Sequence, residues 1–215
     1  MMSTVGLEDW MAMLSGAVAE VKAAHQQLSE LDSICGDGDH GTTMLRAANL
    51  LEKCISQASG KALQTFLGDV AWALMGLDGG ATGPLLGSLF LGISETVGSQ
   101  NELDANSLAT AWEGGLAALT RQTRAQAGDK SMLDALLPAI TALRRSADHG
   151  ETLPEVLRAA ALAAQQGAAS TKHLVAKIGR AKYLGEKTLG TQDPGATTVA
   201  LLFKGFCRAI DTRQP

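Results

Sequence analysis

The stretch LDSICGDGDHGTT, residues 31–43, decides how the chain is built. Its core, Gly36-Asp37-Gly38-Asp39-His40-Gly41, fits the pattern G-x-G-x-x-G. In a dinucleotide-binding fold that pattern follows a β-strand inside a βαβ unit. Here the residues before it are helical. Leu7, Trp10, Leu14, Val18, Val21, His25, Leu28 and Leu31 recur at steps of three and four, one apolar face of a long helix. A calcium EF-hand fails as well. Counted from Asp37, the fifth position is Gly41, and Ala48 stands at the twelfth, where a bidentate Glu is required. The loop therefore belongs to a helical protein, and it carries Asp32, Asp37 and Asp39 close together.

Working outward, the same periodicity predicts helices over about 42–58, 61–77, 84–97, 104–122 and 131–147. Pro84 suits a first helical residue, and Pro138 predicts a kink inside the sixth helix. A seventh helix opens with the capping box Thr152-Leu153-Pro154-Glu155, and an eighth runs from Asp193-Pro194 to about Ile210. No strand pattern, low-complexity run or linker divides the chain. The expected fold is all-α: one domain over residues 1–215, an eight-helix antiparallel up-and-down barrel or bundle.

In such a topology the odd-numbered connections share one end and the even-numbered ones the other. The even connections, SGK, GSQNEL and DHGE, are ordinary turns. The odd ones are DSICGDGDHG, DGGATGP, RAQAGDKS and KIGRAKYLGEKTLGTQDPGATT, all rich in Gly and Asp. Specialised loops thus converge on one end.

Composition narrows the chemistry. The net charge is −4 with no basic run, which argues against a nucleic-acid surface. Cys35, Cys54 and Cys207 form no C-x-x-C pair and read as reduced thiols of a cytoplasmic protein. The N-terminus has no basic region typical of a signal peptide, and no apolar run is long enough to span a membrane. There is no zinc-ligand spacing and no ordered Ser/His/Asp set.

Clustered carboxylates repel one another unless a cation joins them. Mg²⁺ takes oxygen ligands and commonly bridges protein carboxylates to phosphate oxygens. Asp32, Asp37 and Asp39 are therefore the expected metal ligands, with the metal facing phosphate; taken alone, the loop also reads as a Gly-Asp turn capping the second helix. The N–H groups of Gly41, Thr42 and Thr43, opening the second helix, suit phosphate oxygens. The loop Gly79-Gly80-Ala81-Thr82-Gly83 offers a second helix N-terminus, or a plain interhelix turn. Asp193 reads most simply as the N-cap of the last helix, while Lys177, Arg180, Lys182 and Lys187 bring positive charge to the same end.

At these residues the chain resembles the nucleotide-binding L subunit of dihydroxyacetone kinases, and equally the nucleotide domain at the C-terminus of single-chain, ATP-dependent members. The matching segments are LDSICGDGDHGTTM, LDGGATGPLLG, AGDKSMLDALLP and GRAKYLGEKTLGTQDPGATT, spanning Leu31 to Thr198. The resemblance implies a helical barrel with nucleotide at one end and two Mg²⁺ ions on Asp32, Asp37 and Asp39. It implies nucleotide contacts from His40, Gly41, Thr42 and Thr43, from Ala81 and Thr82, from Met132 and Arg180, and from Asp193, Pro194 and Gly195. Thr123 is a further implied nucleotide contact, at a position where the family often has Gly. The family holds its ketose on a separate K subunit, so the expected enzyme is a complex.

The leading expectation is a subunit that transfers phosphate from bound ATP to dihydroxyacetone or a related short ketose such as a tetrulose. In an alternative mode ADP stays bound and is recharged by a phosphohistidine protein of the sugar phosphotransferase system. A third reading is a nucleotide-sensing partner of a transcription regulator. A homodimer is a further option.

Overall fold

A computed structural model describes residues 3–213. Its helices are α1 Leu7–Cys35, α2 His40–Ser56, α3 Leu63–Met75, α4 Thr82–Val97, α5 Ala105–Thr120, α6 Leu133–Asp148, α7 Leu153–Ser170 and α8 Pro194–Asp211. Each packs on its neighbour in sequence, and α8 returns against α1, closing an eight-helix ring. Two 3₁₀ segments, Thr171–His173 and Arg180–Thr188, lie in the long excursion between α7 and α8. Among the described residues the only extended pairing is a single antiparallel bridge, Val5 with Leu103. No helix of the described residues is long and apolar enough to cross a membrane.

Glycine sets the tightest contacts of the ring. A β-carbon at Gly16 would collide with the carbonyl of Gly205, and one at Gly205 with the backbone of Ala17, so α1 and α8 meet backbone to backbone. Gly92 and Gly115 do the same for α4 and α5. The interior is closed by aromatic side chains. Trp10 lies 6.2 Å from Trp112, and Trp112 lies 4.8 Å from Phe203, centroid to centroid. Phe90 and Phe206 complete this fully buried cluster. Burying a large side chain contributes roughly 1.5–3 kcal/mol, so the ring is held by its centre and its ends are left for other work.

The expected helix boundaries shift at the specialised end. α1 continues to Cys35, so Asp32 sits in its last turn rather than in the loop. α2 opens at His40 and α4 at Thr82, which makes Pro84 the third residue of α4 rather than the first. α6 runs as one helix through Pro138. Pro138 has no N–H for the carbonyl of Asp134, and Gly167 of α7 packs closely onto that carbonyl. The box opening α7 forms as expected, with Thr152 N donating to Glu155 Oε2 at 2.8 Å.

Candidate functional site

The ring topology puts the N-termini of α2, α4, α6 and α8 at one end, and one cleft of about 270 Å³ touches all four. Its walls include Asp39 and His40 from α2, Ala81 and Thr82 from α4, Met132 from α6 and Pro194 from α8. Helix N-termini carry positive partial charge and unpaired N–H groups, which suit an anion. The N-cap residues of α2 and α4, Asp39 and Ala81, make no side-chain capping bond. α6 has partial cover, with Leu133 N donating to Ser131 Oγ at 3.2 Å. α8 is capped, since Ala196 N donates to Asp193 Oδ2 at 2.7 Å.

Beside α2 and α4 stand the three carboxylates. Oxygen atoms of Asp32, Asp37 and Asp39 lie within 4.8 Å of one another. Gly38 makes this approach: its φ of +78° is left-handed, which turns the chain between Asp37 and Asp39. Gly79, at φ +111°, brings the α3–α4 loop against Thr43 and Asp39. Asp32 has a second task, its Oδ2 accepting from His40 N at 3.1 Å. Asp37 pairs with the guanidinium of Arg180, which reaches over from the α7–α8 excursion. Asp39 makes no side-chain bond to the N-terminus it precedes. An all-oxygen donor set, only partly neutralised by one exposed arginine, fits a hard divalent cation.

His40 is spent inside the wall. Its Nε2 lies 2.8 Å from Thr198 Oγ1, and that hydroxyl donates to Pro194 O at 3.0 Å. The imidazole therefore donates to Thr198 and ties the start of α2 to the start of α8. Burial pushes its pKa below the usual histidine value, against the pull of Asp32. Asp193 is driven the other way: burial raises its carboxyl to about 7, although the N–H of Ala196 and the charge of Lys130 favour the ionised form.

The expected nucleotide residues divide in space. His40, Thr43, Ala81, Thr82, Met132 and Arg180 line the cleft, as do Asp193, Pro194 and Gly195. Gly41 does not; a β-carbon there would collide with the carbonyl of His25 and with Ser29, so its bareness lets α2 rest on α1. Thr42 is exposed outside the lining. Thr123 also lies outside it, its Oγ1 accepting from Ala125 N at 3.1 Å.

The residue-by-residue expectations did not include Lys130, although its segment was singled out. Lys130 lines the cleft and is only 4% exposed. Burial lowers the pKa of its ammonium, with Cys35, Asp193 and Asp134 opposing. Its signal in the sequence was the lysine inside AGDKS, which reads as a solvated loop residue until its partners are known.

The fold and the cleft define a class: an all-helical ring that presents helix N-termini and a carboxylate cluster at one end. Residues 34–208 match the DAK2 domain, and the chain belongs to that family. It is 36% identical over 197 residues to the ADP-binding subunit DhaL of PEP-dependent dihydroxyacetone kinase 1 from Listeria innocua, covering 91% of this chain and 93% of that one. It is 35% identical over 190 residues to D-erythrulose kinase of Mycolicibacterium smegmatis, covering 86% of this chain but 32% of the longer enzyme. Among solved structures, the dihydroxyacetone kinase of C. freundii in complex with AMP-PNP and Mg²⁺ superposes with a TM-score of 0.72 at 27% identity. That match covers 92% of this chain and 33% of the C. freundii chain.

Proposed function

We propose that this chain is the ADP-bearing, Mg²⁺-dependent subunit of a kinase for dihydroxyacetone or a related short ketose, working with a separate ketose-binding K subunit in the cytoplasm. The observation that carries this reading is one cleft in which two helix N-termini, whose N-cap side chains make no capping bond, face a cluster of three carboxylates. Neither half serves a ligand of one sign. Together they suit a phosphate chain with a divalent cation, which is the form a nucleotide takes in phosphoryl transfer.

In this reading Asp32, Asp37 and Asp39 hold Mg²⁺, which when bound neutralises charge on the phosphates. The first turns of α2 and α4, with Thr43, Ala81 and Thr82, face the phosphates, and His40 braces the wall behind them. Met132, Arg180, Asp193, Pro194 and Gly195 face the rest of the nucleotide. This chain supplies alignment and electrostatics, and any group that takes a proton from the ketose lies on the partner. The surfaces flanking the cleft support docking there. Ile34 is 54% exposed and Tyr183 82% exposed, and Leu184 and Leu189 also face solvent.

ATP as a consumed substrate was the leading expectation from sequence. A match along nearly the full length of a subunit named ADP-binding and PEP-dependent favours retained ADP, recharged by a phosphohistidine protein. Dialysis of the purified chain followed by reconstitution separates the two. The expected result is ADP that co-purifies and resists dialysis, no phosphorylation of dihydroxyacetone by the chain alone, and turnover with a K subunit and a phosphohistidine donor. Freely exchanging nucleotide and turnover on ATP would select the ATP mode. A chain that binds neither ADP nor ATP in Mg²⁺ would end the nucleotide reading.

A further inference from the structure

Lys130 has no part in the reading above, yet its surroundings are unusual. It is the only non-glycine residue with left-handed φ among the described residues, at +62°. Gly128, two residues earlier, takes a left-handed φ with no β-carbon to resist it. A lysine held in that conformation and buried needs a compensating task. Its ammonium shows one: Nζ donates to Thr171 O at 2.7 Å and to Thr191 O at 2.5 Å. Thr171 caps the end of α7, where the helix dipole presents negative charge, and Thr191 lies two residues before the N-cap of α8.

The two carbonyls are the two ends of the excursion between α7 and α8. That excursion carries Arg180 to the cleft and delivers Asp193 to it. Its outgoing limb is pinned next door, with Lys177 N donating to Asp129 O at 3.1 Å. Its base is also closed by Gly190 N donating to Lys172 O at 2.7 Å. The α5–α6 loop thus grips the excursion from below, and Lys130 is the charged part of the grip.

We propose that Lys130 is a positioning residue, whose ammonium clasps both ends of the 171–193 excursion and so holds Arg180 and Asp193 in place for the nucleotide. The inference rests on the nucleotide reading for its consequence, but the clasp itself can be measured without any nucleotide.

Two variants test it. Lys130→Met keeps the stem and removes the donors; Lys130→Gly also removes the β-carbon that resists the left-handed turn. Both should weaken ADP binding in Mg²⁺ by roughly tenfold or more in calorimetry. Both should speed amide exchange across 174–190 while the core of α1 and α8 stays protected. Mn²⁺ binding without nucleotide, read by paramagnetic resonance, should not weaken, because Asp32 and Asp39 stand at the ends of α1 and α2 and loosening Arg180 only frees Asp37. Combined with Arg180→Ala, either variant should lose less affinity than the product of the two single losses, since both act through one contact. If Lys130→Met does not fold, every measurement is read on Lys130→Gly. Wild-type ADP affinity in the glycine variant would reduce Lys130 to a turn residue and overturn the proposal. So would unchanged exchange of the excursion, or strict multiplicativity with Arg180→Ala. Failure of the wild-type chain to bind ADP would instead strike the nucleotide reading and leave the exchange result to judge the clasp.

Discussion

The two ends of the ring use their helix termini in opposite ways. At the far end, helices are closed by their own side chains. α5 is capped by Asp104, which accepts from Ser107 N at 2.8 Å, and α7 by the Thr152–Glu155 box. Gly6 N, before α1, donates to Asp9 Oδ2 at 2.9 Å. The N-cap positions of α1 and α3, Gly6 and Ala62, have no side chain that caps the first turn. At the cleft end the N-cap side chains of α2 and α4 make no capping bond, the first N–H of α2 goes to Asp32 of α1, and the nearby carboxylates face one another. Each N-cap is worth about 1 kcal/mol, so α2 and α4 forgo local stability that α5 and α8 keep. What sets the cleft end apart is the pairing of open N-cap positions with a carboxylate cluster, which α1 and α3 lack at the far end.

The sharpest way to break this comparison is to separate binding from capping among the aspartates. Asp39→Ala should lower Mg²⁺-dependent ADP affinity by about a hundredfold, roughly 2.7 kcal/mol, with little change in melting temperature, since its side chain caps nothing. Asp32→Ala should lose similar affinity and also about 1 kcal/mol of stability, because Asp32 holds His40 N. Calorimetry and thermal melts in parallel decide it. If Asp39→Ala melts as early as Asp32→Ala, the cluster is structural and the contrast between the ends collapses.

The sequence made the fold and the end legible for physical reasons. Periodicity of three and four gave the helices, and the parity of Gly- and Asp-rich connections gave the end at which the cleft lies. The misses also have causes. Asp32 was assigned to a loop, yet α1 runs four residues beyond Leu31, with Ser33 and Ile34 exposed and Cys35 returning to the buried face. Gly41 lies outside the cleft lining, and its bareness serves the backbone of α1 at His25, a contact invisible in one dimension. Lys130 escaped because its acceptors lie 41 and 61 residues away. The excursion folds into short 3₁₀ turns, which have no apolar period to read.

Glycine gives the next test. Gly41→Ala puts a β-carbon into the carbonyl of His25 and should cost about 1–3 kcal/mol. It should also weaken ADP, because α2 must shift. Gly150, at φ +74° in open space at the far end, should lose up to about 1–2 kcal/mol on mutation to Ala through backbone strain alone. Its ADP affinity should be unchanged. Equal loss of affinity in the two variants would mean that the two ends are coupled through the ring.

Asp193 predicts a pH dependence with a definite sign. Its folded value of about 7 lies above its ordinary 3.8, so between those values the folded chain keeps a proton that the unfolded chain releases. Its contribution to stability is therefore full below about pH 4 and falls as pH rises towards 7. Asn can still cap through its side-chain oxygen, so Asp193→Asn should melt higher than wild type above pH 7, with the gap closing on acidification. His40 acts in the opposite sense. Its pKa is lowered in the fold, so its contribution is present above about 6.5 and is lost as pH falls. For that reason the comparison is made between the variant and wild type at each pH rather than along one curve. A gap that widens in acid would refute the burial argument.

Arg180 separates the two halves of the cleft by sign. Its guanidinium pairs with Asp37 and so competes with any cation there. The pair is solvent-exposed, and such pairs are worth up to about 1 kcal/mol. Arg180→Gln should therefore raise Mn²⁺ affinity a few-fold, by up to about fivefold, in the absence of nucleotide, while lowering ADP affinity. A fall in both would place Arg180 as a mere structural support of the aspartate loop.

The smallest effect is expected at the far end, and it needs a careful choice of residue. The 98–103 connection is not uniformly free. Leu103 is fully buried and exchanges two backbone bonds with Val5, at 2.8 and 3.0 Å, and Gly98 holds a left-handed φ of +54°. A charge at either would test packing or strain rather than the end itself. Gln100 is exposed, and its N–H donates to Val97 O at 3.1 Å, a bond that any residue except proline can make. Gln100→Lys should change stability by no more than about 0.5 kcal/mol and leave ADP affinity and reconstituted turnover intact. Gly83→Lys, one residue into α4 at the cleft, meets Leu74 O and Leu77 and should damage both. Loss of turnover confined to Gln100→Lys would put the K subunit on the far end, and the N-termini of α2 and α4 would then have to serve a ligand that the partner never meets.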